Sequence, residues 1–459
     1  MTLTDVAAAP AFSPISAVAS APPDGSQAIA VEAVGPDTLR APVGLYVHFP
    51  FCVSICPYCD FVVYAGRAAR GPAAQLERFE AALEVELGLR ADALDARWGS
   101  PSNGLGAGAS PPDGPGPDQD NGRPPLQTLY LGGGTPSLLP TETIARLIEL
   151  VRRRFGLADD AEVTLEVNPG PDERGDARAL RAAGVTRLSI GAQSFEPGEL
   201  RSLGRRHGSS DVVATVRAAC DAGITSISLD LLYDLPGQTL ASWSRSIDAA
   251  LDLEPDHVSI YALTLDDPDA EGITGPFGDH LPLRRGARSW RERAAAAQDD
   301  DRAAAMYELA DERLAAGGLE WYEISNWARP GHASRHNLGY WRSAAWEAVG
   351  PGAHAFDGAT RRWNAARLDA YLAALLPVDG TVPALPPGAF DVDVGGRGEA
   401  AMLALRTREG VPAQAVDDPL LEGPLRWALH GGLLSSTGNR LFLTRRGRLL
   451  SNEIFARLP

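Results

Sequence analysis

Three of the four cysteines fall within eight residues, as Cys52-x-x-x-Cys56-x-x-Cys59, and the fourth, Cys220, lies alone in a helical stretch. Three thiolates this close can bind three irons of one iron–sulfur cluster. A structural zinc site would want four ligands, and no fourth Cys or His follows at zinc spacing. Phe61 occupies the next place a fourth thiolate would stand. Three protein ligands leave one iron open, and an open iron can bind something that reacts. A secreted disulfide protein would spread its cysteines, so the crowding also points to a reducing cytoplasm. The competing readings are a zinc site and three incidental cysteines.

A second run with chemical promise is Gly132-Gly-Gly-Thr-Pro136. It lacks the G-x-G-x-x-G spacing of a dinucleotide fingerprint. Its glycines permit either close backbone approach to a ligand or a tight turn. Polar residues then recur near the ends of successive apolar runs: Glu166 in Glu166-Val-Asn-Pro169, Gln193 in Gly191-Ala-Gln-Ser-Phe195, and Asp230 in Ser228-Leu-Asp-Leu-Leu-Tyr233. Arg205 follows in Leu203-Gly-Arg-Arg-His207.

Those runs read as strands at Gly44–His48, Thr128–Leu131, Val163–Val167, Arg187–Gly191, Ser226–Leu232 and His257–Leu265. Helical patterns lie between them at Ala73–Arg90, Thr141–Phe155, Pro171–Ala183, Asp211–Ala222 and Leu240–Leu251, with Thr141 as an N-cap and Gly156, Gly184 and Gly223 as stops. Such alternation implies an α/β fold with a parallel sheet, open or curled into a barrel. In both forms the site gathers at the carboxyl ends of the strands. Residues 1–40, rich in Ala, Pro and Ser, read as a disordered tail. From Gly99 to Pro125, Gly and Pro fill 14 of 27 positions, which reads as a flexible insertion.

Further on the pattern changes. Ala303–Ala316 is helical, Leu319–Ile324 is a strand, and Ser325–Phe356 is rich in aromatics and His. Residues 395–459 hold nine Arg against six Asp plus Glu, net +3, while the rest of the chain carries −20. Their last part, Gly432–Leu458, outlines a hairpin turning at Asn439-Arg440 and then a helix, like a winged helix. The net charge of −17 disfavours nonspecific nucleic-acid binding by the whole chain. Arg445, Arg446 and Arg448 could touch phosphates, yet no base-reading motif accompanies them, so no nucleic acid is expected. The tail unit is expected to cover the open end of the barrel or to meet a membrane or an acceptor protein. All 42 basic residues are Arg, which reads as compositional bias. No apolar run reaches membrane-spanning length and no secretory signal is visible.

The cysteine spacing, with Tyr58 just before the third Cys, resembles the radical S-adenosylmethionine (SAM) superfamily. The likeness continues through the glycine run and the strand-end residues, over almost the whole chain from Gly44. It is closest to the HemW and HemN group, related to oxygen-independent coproporphyrinogen III oxidase. The resemblance implies a partial (β/α)6 barrel with a C-terminal α+β region including the winged-helix-like unit. It implies a [4Fe–4S] cluster on Cys52, Cys56 and Cys59, with SAM on the open iron. It implies that Tyr46, Gly133, Gly134, Thr135, Glu166, Gln193, Arg205 and Asp230 contact SAM. The chemistry is sensible: carboxylates accept from ribose hydroxyls or the amino group, Arg205 can pair with a carboxylate, and Tyr46 suits a sulfonium. In this superfamily one electron from the cluster cleaves SAM to a 5′-deoxyadenosyl radical, and the protein orients the cofactor. Asp234 departs from the pattern, since relatives commonly carry Gly there; its carboxylate would alter the pocket floor or point to solvent.

The oxidase branch carries a further Cys two residues after the third, where this chain has Phe61. That substitution, the Gln238-Thr239 context and His336-Asn-Leu-Gly-Tyr-Trp341 resemble the HemW branch. Its members are haem chaperones that bind haem and deliver it to acceptor haemoproteins, including respiratory membrane enzymes. The alternative is a porphyrinogen-oxidising radical SAM enzyme; a binding module built on the tail unit is a third class. No residue is assigned a catalytic role. The resemblance implies a haem role for His336. Imidazole is a good axial ligand, and Trp327, Tyr340, Trp341 and Trp346 can pack on a macrocycle. His332 and His354 compete for that role. His48, His207, His257, His280 and His430 show no connection to haem, although His48 lies on the cluster side. The expected organisation is a SAM core over 41–275, a connecting region over 276–394 and the tail unit over 395–459. The expected setting is the cytoplasm with transient membrane association, an electron donor such as flavodoxin or ferredoxin, and a homodimer as one assembly.

Overall fold

The computed structural model describes residues 39–66, 75–102, 122–392 and 394–459. The expected disordered tail, apart from residues 39 and 40, lies outside the described residues. So do the body of the insertion, 103–121, and the start of the first expected helix at Ala73.

Six parallel strands form the core: β1 (Gly44–Phe49), β2 (Leu126–Gly133), β3 (Leu157–Val167), β4 (Arg187–Gln193), β5 (Ser226–Tyr233) and β6 (His257–Ala262). Their helices are α1 (Leu76–Trp98), α2 (Thr141–Phe155), α3 (Ala177–Ala182), α4 (Pro197–Ser202), α5 (Ser209–Asp221) and α6 (Leu240–Leu251). Parallel strands covered on both faces usually read as unbroken apolar runs. These alternate instead. Leu45 and Val47, Leu129 and Leu131, Leu188 and Ile190, and Leu229 and Leu231 pack in one cluster with the helices. Each such side chain contributes about 1.5–3 kcal/mol by burial. The intervening positions, among them Tyr46, Tyr130, Glu166, Ser189 and Asp230, face the other side of the sheet. The barrel interior is therefore polar and aromatic. On α2, Ile144, Leu147, Ile148, Val151 and Phe155 form the buried stripe that a 3.6-residue period requires.

Several boundaries differ from expectation. α2 does start at Thr141, but Pro140 is its cap residue and no side chain caps it, so Thr141 is the first helical position. α3 starts six residues late, because Asp176 caps it by accepting from the backbone N–H of Arg178 and Ala179. β6 ends at Ala262, short of Leu265. The far end of the insertion is tied down. Arg123 is buried and donates to Asp95 (2.8 Å) and to the carbonyls of Phe155 and Arg154 (2.5 and 2.7 Å).

The sheet does not stop with β6. The chain continues through α7 (Arg285–Ala295), α8 (Asp300–Ala316), β7 (Glu320–Glu323), β8 (Asn326–Ala328), α9 (Arg335–Trp341), β9 (Trp346–Val349), β10 (His354–Phe356), β11 (Arg361–Asn364), α10 (Leu368–Leu375) and β12 (Gly388–Asp391). Together they give twelve strands in the order β12-β11-β10-β9-β1-β2-β3-β4-β5-β6-β8-β7. β9 is parallel to β1, and β10 to β12 and β8–β7 extend the two edges antiparallel. α9 closes the barrel floor at the amino ends of the strands. The backbone N–H groups of Arg335 and His336 donate to Glu162 (3.0 and 3.1 Å).

The tail contains α11 (Arg397–Leu405), β13 (Val411–Pro412), α12 (Glu422–His430), β14 (Leu434–Thr437), β15 (Arg440–Leu443), α13 (Arg445–Leu449) and α14 (Ser451–Phe455). Its small sheet has the order β13-β15-β14, and the hairpin turns at Gly438-Asn439, one residue earlier than expected. It docks on β7 and α8, with backbone bonds from Ile324 to Arg406 and from Arg408 to Tyr322. None of its residues lines the cavity beside the cysteines, so it lies to one side of that mouth.

Candidate cluster and cofactor site

The cysteine loop leaves β1 at the carboxyl end of the barrel. Its backbone is fixed from both sides: the Cys52 N–H donates to the Tyr64 carbonyl (3.0 Å) and the Cys59 N–H to the Cys56 carbonyl (3.2 Å). Buried Arg291 of α7 donates to the carbonyls of Pro57 and Cys59 (both 3.1 Å) and pairs with Asp60. The three thiols are free and partly exposed on a cavity of about 280 Å³. Thr135 donates to the Cys52 sulfur (3.4 Å) and Arg205 to the Cys56 sulfur (3.7 Å). Desolvation pushes the Cys52 thiol up to about 11, and a metal must overcome that to bind the thiolate. Among the described residues, no three His, Cys, Asp or Glu converge on a single metal ion. A cluster asks less, since each thiolate takes a different iron.

The glycine run packs against this loop. Gly133 has φ +105°, and a Cβ there would stand 2.5 Å from the His48 ring. A Cβ on Gly134 would meet the Phe51 carbonyl oxygen at 2.5 Å. Close approach to β1 thus requires glycine before any ligand arrives.

Of the eight residues expected around SAM, six line the cavity: Gly133, Gly134, Glu166, Gln193, Arg205 and Asp230. Glu166 accepts from the Gly133 N–H (2.8 Å) and the Tyr130 hydroxyl (2.9 Å), while desolvation pushes it up to about 7. Asp230 accepts from Ser189 (2.9 Å) and Ser228 (3.2 Å), and desolvation raises it too. Arg205 donates to the Gly191 carbonyl (2.9 Å) and to Asn168, and its Nε–H is buried without a partner. Thr135 stands behind, joined to Cys52 and to Asn168 (2.9 Å). Tyr46 differs from expectation: it lines a neighbouring cavity, and its hydroxyl bonds His48 Nδ1 (3.0 Å). The residues present fit the implied groups. Three soft thiolates suit iron, and the unmet Arg205 donor suits a carboxylate such as that of SAM.

Asp234 neither floors the cavity nor meets solvent. It holds φ +58° and is buried against Arg302, whose Nε–H donates to it at 3.0 Å. His336 is buried in the barrel floor, with Nδ1 bonded to Thr128 (2.8 Å), Nε2 to Tyr340 (2.8 Å) and its ring stacked on Tyr130 at 5.1 Å. It lines neither cavity. Sequence reasoning missed Tyr130, Asn168, Ser189, Tyr261 and Arg291. The first four were within reach, since Tyr130, Ser189 and Tyr261 share the inward parity of the strands and Asn168 follows Glu166 by two.

A model of the radical SAM superfamily matches residues 119–250, and one of the HemN C-terminal domain matches residues 398–450. The protein named heme chaperone HemW of Mycobacterium tuberculosis is 39% identical over 417 residues, covering 90% of this chain and 94% of that one. The Bacillus subtilis protein of the same name is 30% identical over 423 residues, covering 89% and 97%. Among solved structures, coproporphyrinogen III oxidase (HemN) from Escherichia coli matches with a TM-score of 0.68 at 20% identity, covering 92% of this chain and 90% of that one. That last likeness is one of fold alone. Identity sustained over the length of two such relatives leaves one conclusion: the chain belongs to the HemW family of the radical SAM superfamily.

Proposed function

We propose that this chain is a cytoplasmic haem chaperone: it binds haem and transfers it to acceptor haemoproteins, including ones at the membrane. The observation that carries the reading is the 39% identity to a protein named as a heme chaperone, sustained over 90% of this chain. Phe61, in the place where the oxidase branch carries a further Cys, supports it. Among the described residues no helix is long and apolar enough to cross a membrane.

In this reading Cys52, Cys56 and Cys59 hold a [4Fe–4S] cluster, and SAM lies along Gly133, Gly134, Glu166, Gln193, Arg205 and Asp230. Such a cluster, reduced by a flavodoxin- or ferredoxin-like donor, supplies electrons to a bound sulfonium. The chain's own residues do the rest. Thr135 and Arg205 donate to the cysteine sulfurs and so stabilise thiolate charge. Arg291 holds the loop backbone at fixed distance from α7. Glu166 is held by Gly133 and Tyr130 in one orientation, and the unmet Arg205 N–H aims a cation at the carboxylate position.

Anaerobic reconstitution with iron and sulfide is expected to give a cluster absorption band that Cys52→Ser abolishes, followed by saturable haem binding. Substrate-dependent 5′-deoxyadenosine formation from coproporphyrinogen III, SAM and a reductant would instead make the chain an oxidase. A gel shift at physiological salt that needs residues 395–459 would make it a nucleic-acid-binding module.

A further inference from the structure

A second cavity, of about 650 Å³, lies beside the cluster cavity, and Asp60 and Phe61 line both. Its size falls within the range of about 300–1,000 Å³ typical of small-molecule sites. Flat aromatic side chains line it, among them Tyr46, Trp346 and Trp363, together with three imidazoles, His48, His280 and His354.

The three imidazoles are not equivalent. His48 is spent, with one nitrogen on Tyr46 and the other within 2.8 Å of the Val62 carbonyl. His280 and His354 share one carboxylate. Asp279 accepts from His280 Nδ1 at 3.0 Å and from His354 Nε2 at 2.8 Å. A carboxylate acceptor fixes each tautomer and leaves the opposite nitrogen as a bare lone pair. On His280 that nitrogen is Nε2, at the tip of the ring, where a broad planar ligand can reach it. On His354 it is Nδ1, crowded by its own backbone, and that ring is stacked on Trp363 at 5.6 Å. Arg361 lines the same cavity; it pairs with Glu399, and its Nε–H is buried with no partner. An unmet guanidinium donor at the wall of an apolar slot calls for an anionic oxygen.

We propose that this cavity is the haem site, with His280 Nε2 on the iron, Asp279 positioning the imidazole, and Arg361 taking a propionate carboxylate of the macrocycle. The inference rests on the haem-binding reading above and deepens it by naming the site. It moves the ligand role from His336, whose two ring nitrogens are both bonded in the barrel floor, to a histidine that sequence position alone left without a partner. It also places the cargo across the Asp60–Phe61 wall from the cluster cavity.

The test uses the full chain with its cluster loaded anaerobically and ferric haem as the probe. His280→Ala is expected to weaken haem binding at least tenfold and to shift the Soret band, with added imidazole restoring the wild-type spectrum. Asp279→Asn is expected to weaken binding about 10–100-fold and to lower the Fe–His stretching frequency of the ferrous protein. His354→Ala retains the Asp279–His280 pair and is expected to keep the wild-type Soret position. Wild-type affinity and spectrum in folded His280→Ala overturn the assignment; should that variant not fold, an unchanged affinity and Fe–His frequency in Asp279→Asn do so. Lack of saturable haem binding by the wild-type chain overturns the underlying reading instead.

Discussion

Glu166 is pulled two ways. Hydrogen bonds from Gly133 and Tyr130 favour its anion, desolvation opposes it, and desolvation wins by pushing the group up to about 7. Between its ordinary value near 4.5 and that value, the native carboxyl keeps a proton that the unfolded chain has lost. Its contribution to stability is therefore present in full below about 4.5 and is lost as pH rises through about 7. At about 1.4 kcal/mol per unit, the loss is at most roughly 3–4 kcal/mol. Glu166→Gln mimics the protonated form. Calorimetry on the cluster-free protein is expected to show a smaller fall in Tm between about pH 5 and about pH 8 in this variant than in the wild type. An equal fall in both would show that Glu166 is not the group responsible.

Among the elements, α9 does the least expected work. Sequence resemblance links its His336 to haem, whereas the fold uses that residue to seal the barrel floor beneath the cofactor cavity. His336→Ala leaves the buried Thr128 and Tyr340 hydroxyls without their partner. The expected cost in urea unfolding is roughly 2–4 kcal/mol. The loss should depend on pH. Burial pushes His336 down to about 3, so its contribution is complete above its ordinary 6.5 and is lost as pH falls toward about 3. Wild-type stability should thus drop on acidification more steeply than that of the variant. Parallel curves would mean that the imidazole is not held neutral in the floor.

On the scale of the molecule, the basic tail is held by acidic α8 rather than left open to phosphates. Asp311 accepts from buried Arg448 (2.8 and 3.0 Å), from Arg445 (2.8 Å) and from Trp327 (3.0 Å), while Arg445 also reaches Glu312. Arg448 lies over the Trp321 ring at 4.5 Å. Removing one partner of a buried pair costs about 3–5 kcal/mol, because the other charge stays buried. Asp311→Ala is accordingly expected to speed proteolysis within residues 395–459 while leaving the reconstituted cluster spectrum unchanged. Cleavage at the wild-type rate would show that the tail is held by its apolar contacts instead.

The six barrel strands, most of their helices and the cysteine loop were legible in the chain, because each is written in local periodicity and spacing. Parity along the strands also encodes the inward side of Glu166 and Asp230, whereas the grouping of Gly133, Gly134, Gln193 and Arg205 with them came from the family resemblance. The starts of α2 and α3 were less so: Pro140, with no side-chain cap, precedes α2, and the Asp176 cap sets the start of α3 six residues beyond the expected one. Tyr46, His336, His280 and Asp234 lay beyond reach. The partners of His336 and Asp234, Thr128 and Arg302, are distant in sequence. Those of Tyr46 and His280, His48 and Asp279, are near neighbours, and what the fold adds for them is the shared cavity they line. The sequence by itself determined which chemistry the loop can carry, because three sulfurs at fixed spacing need no distant help to bind iron. Only the tertiary structure decided which imidazoles are free, because a ring nitrogen's availability is set by whatever the fold packs against it.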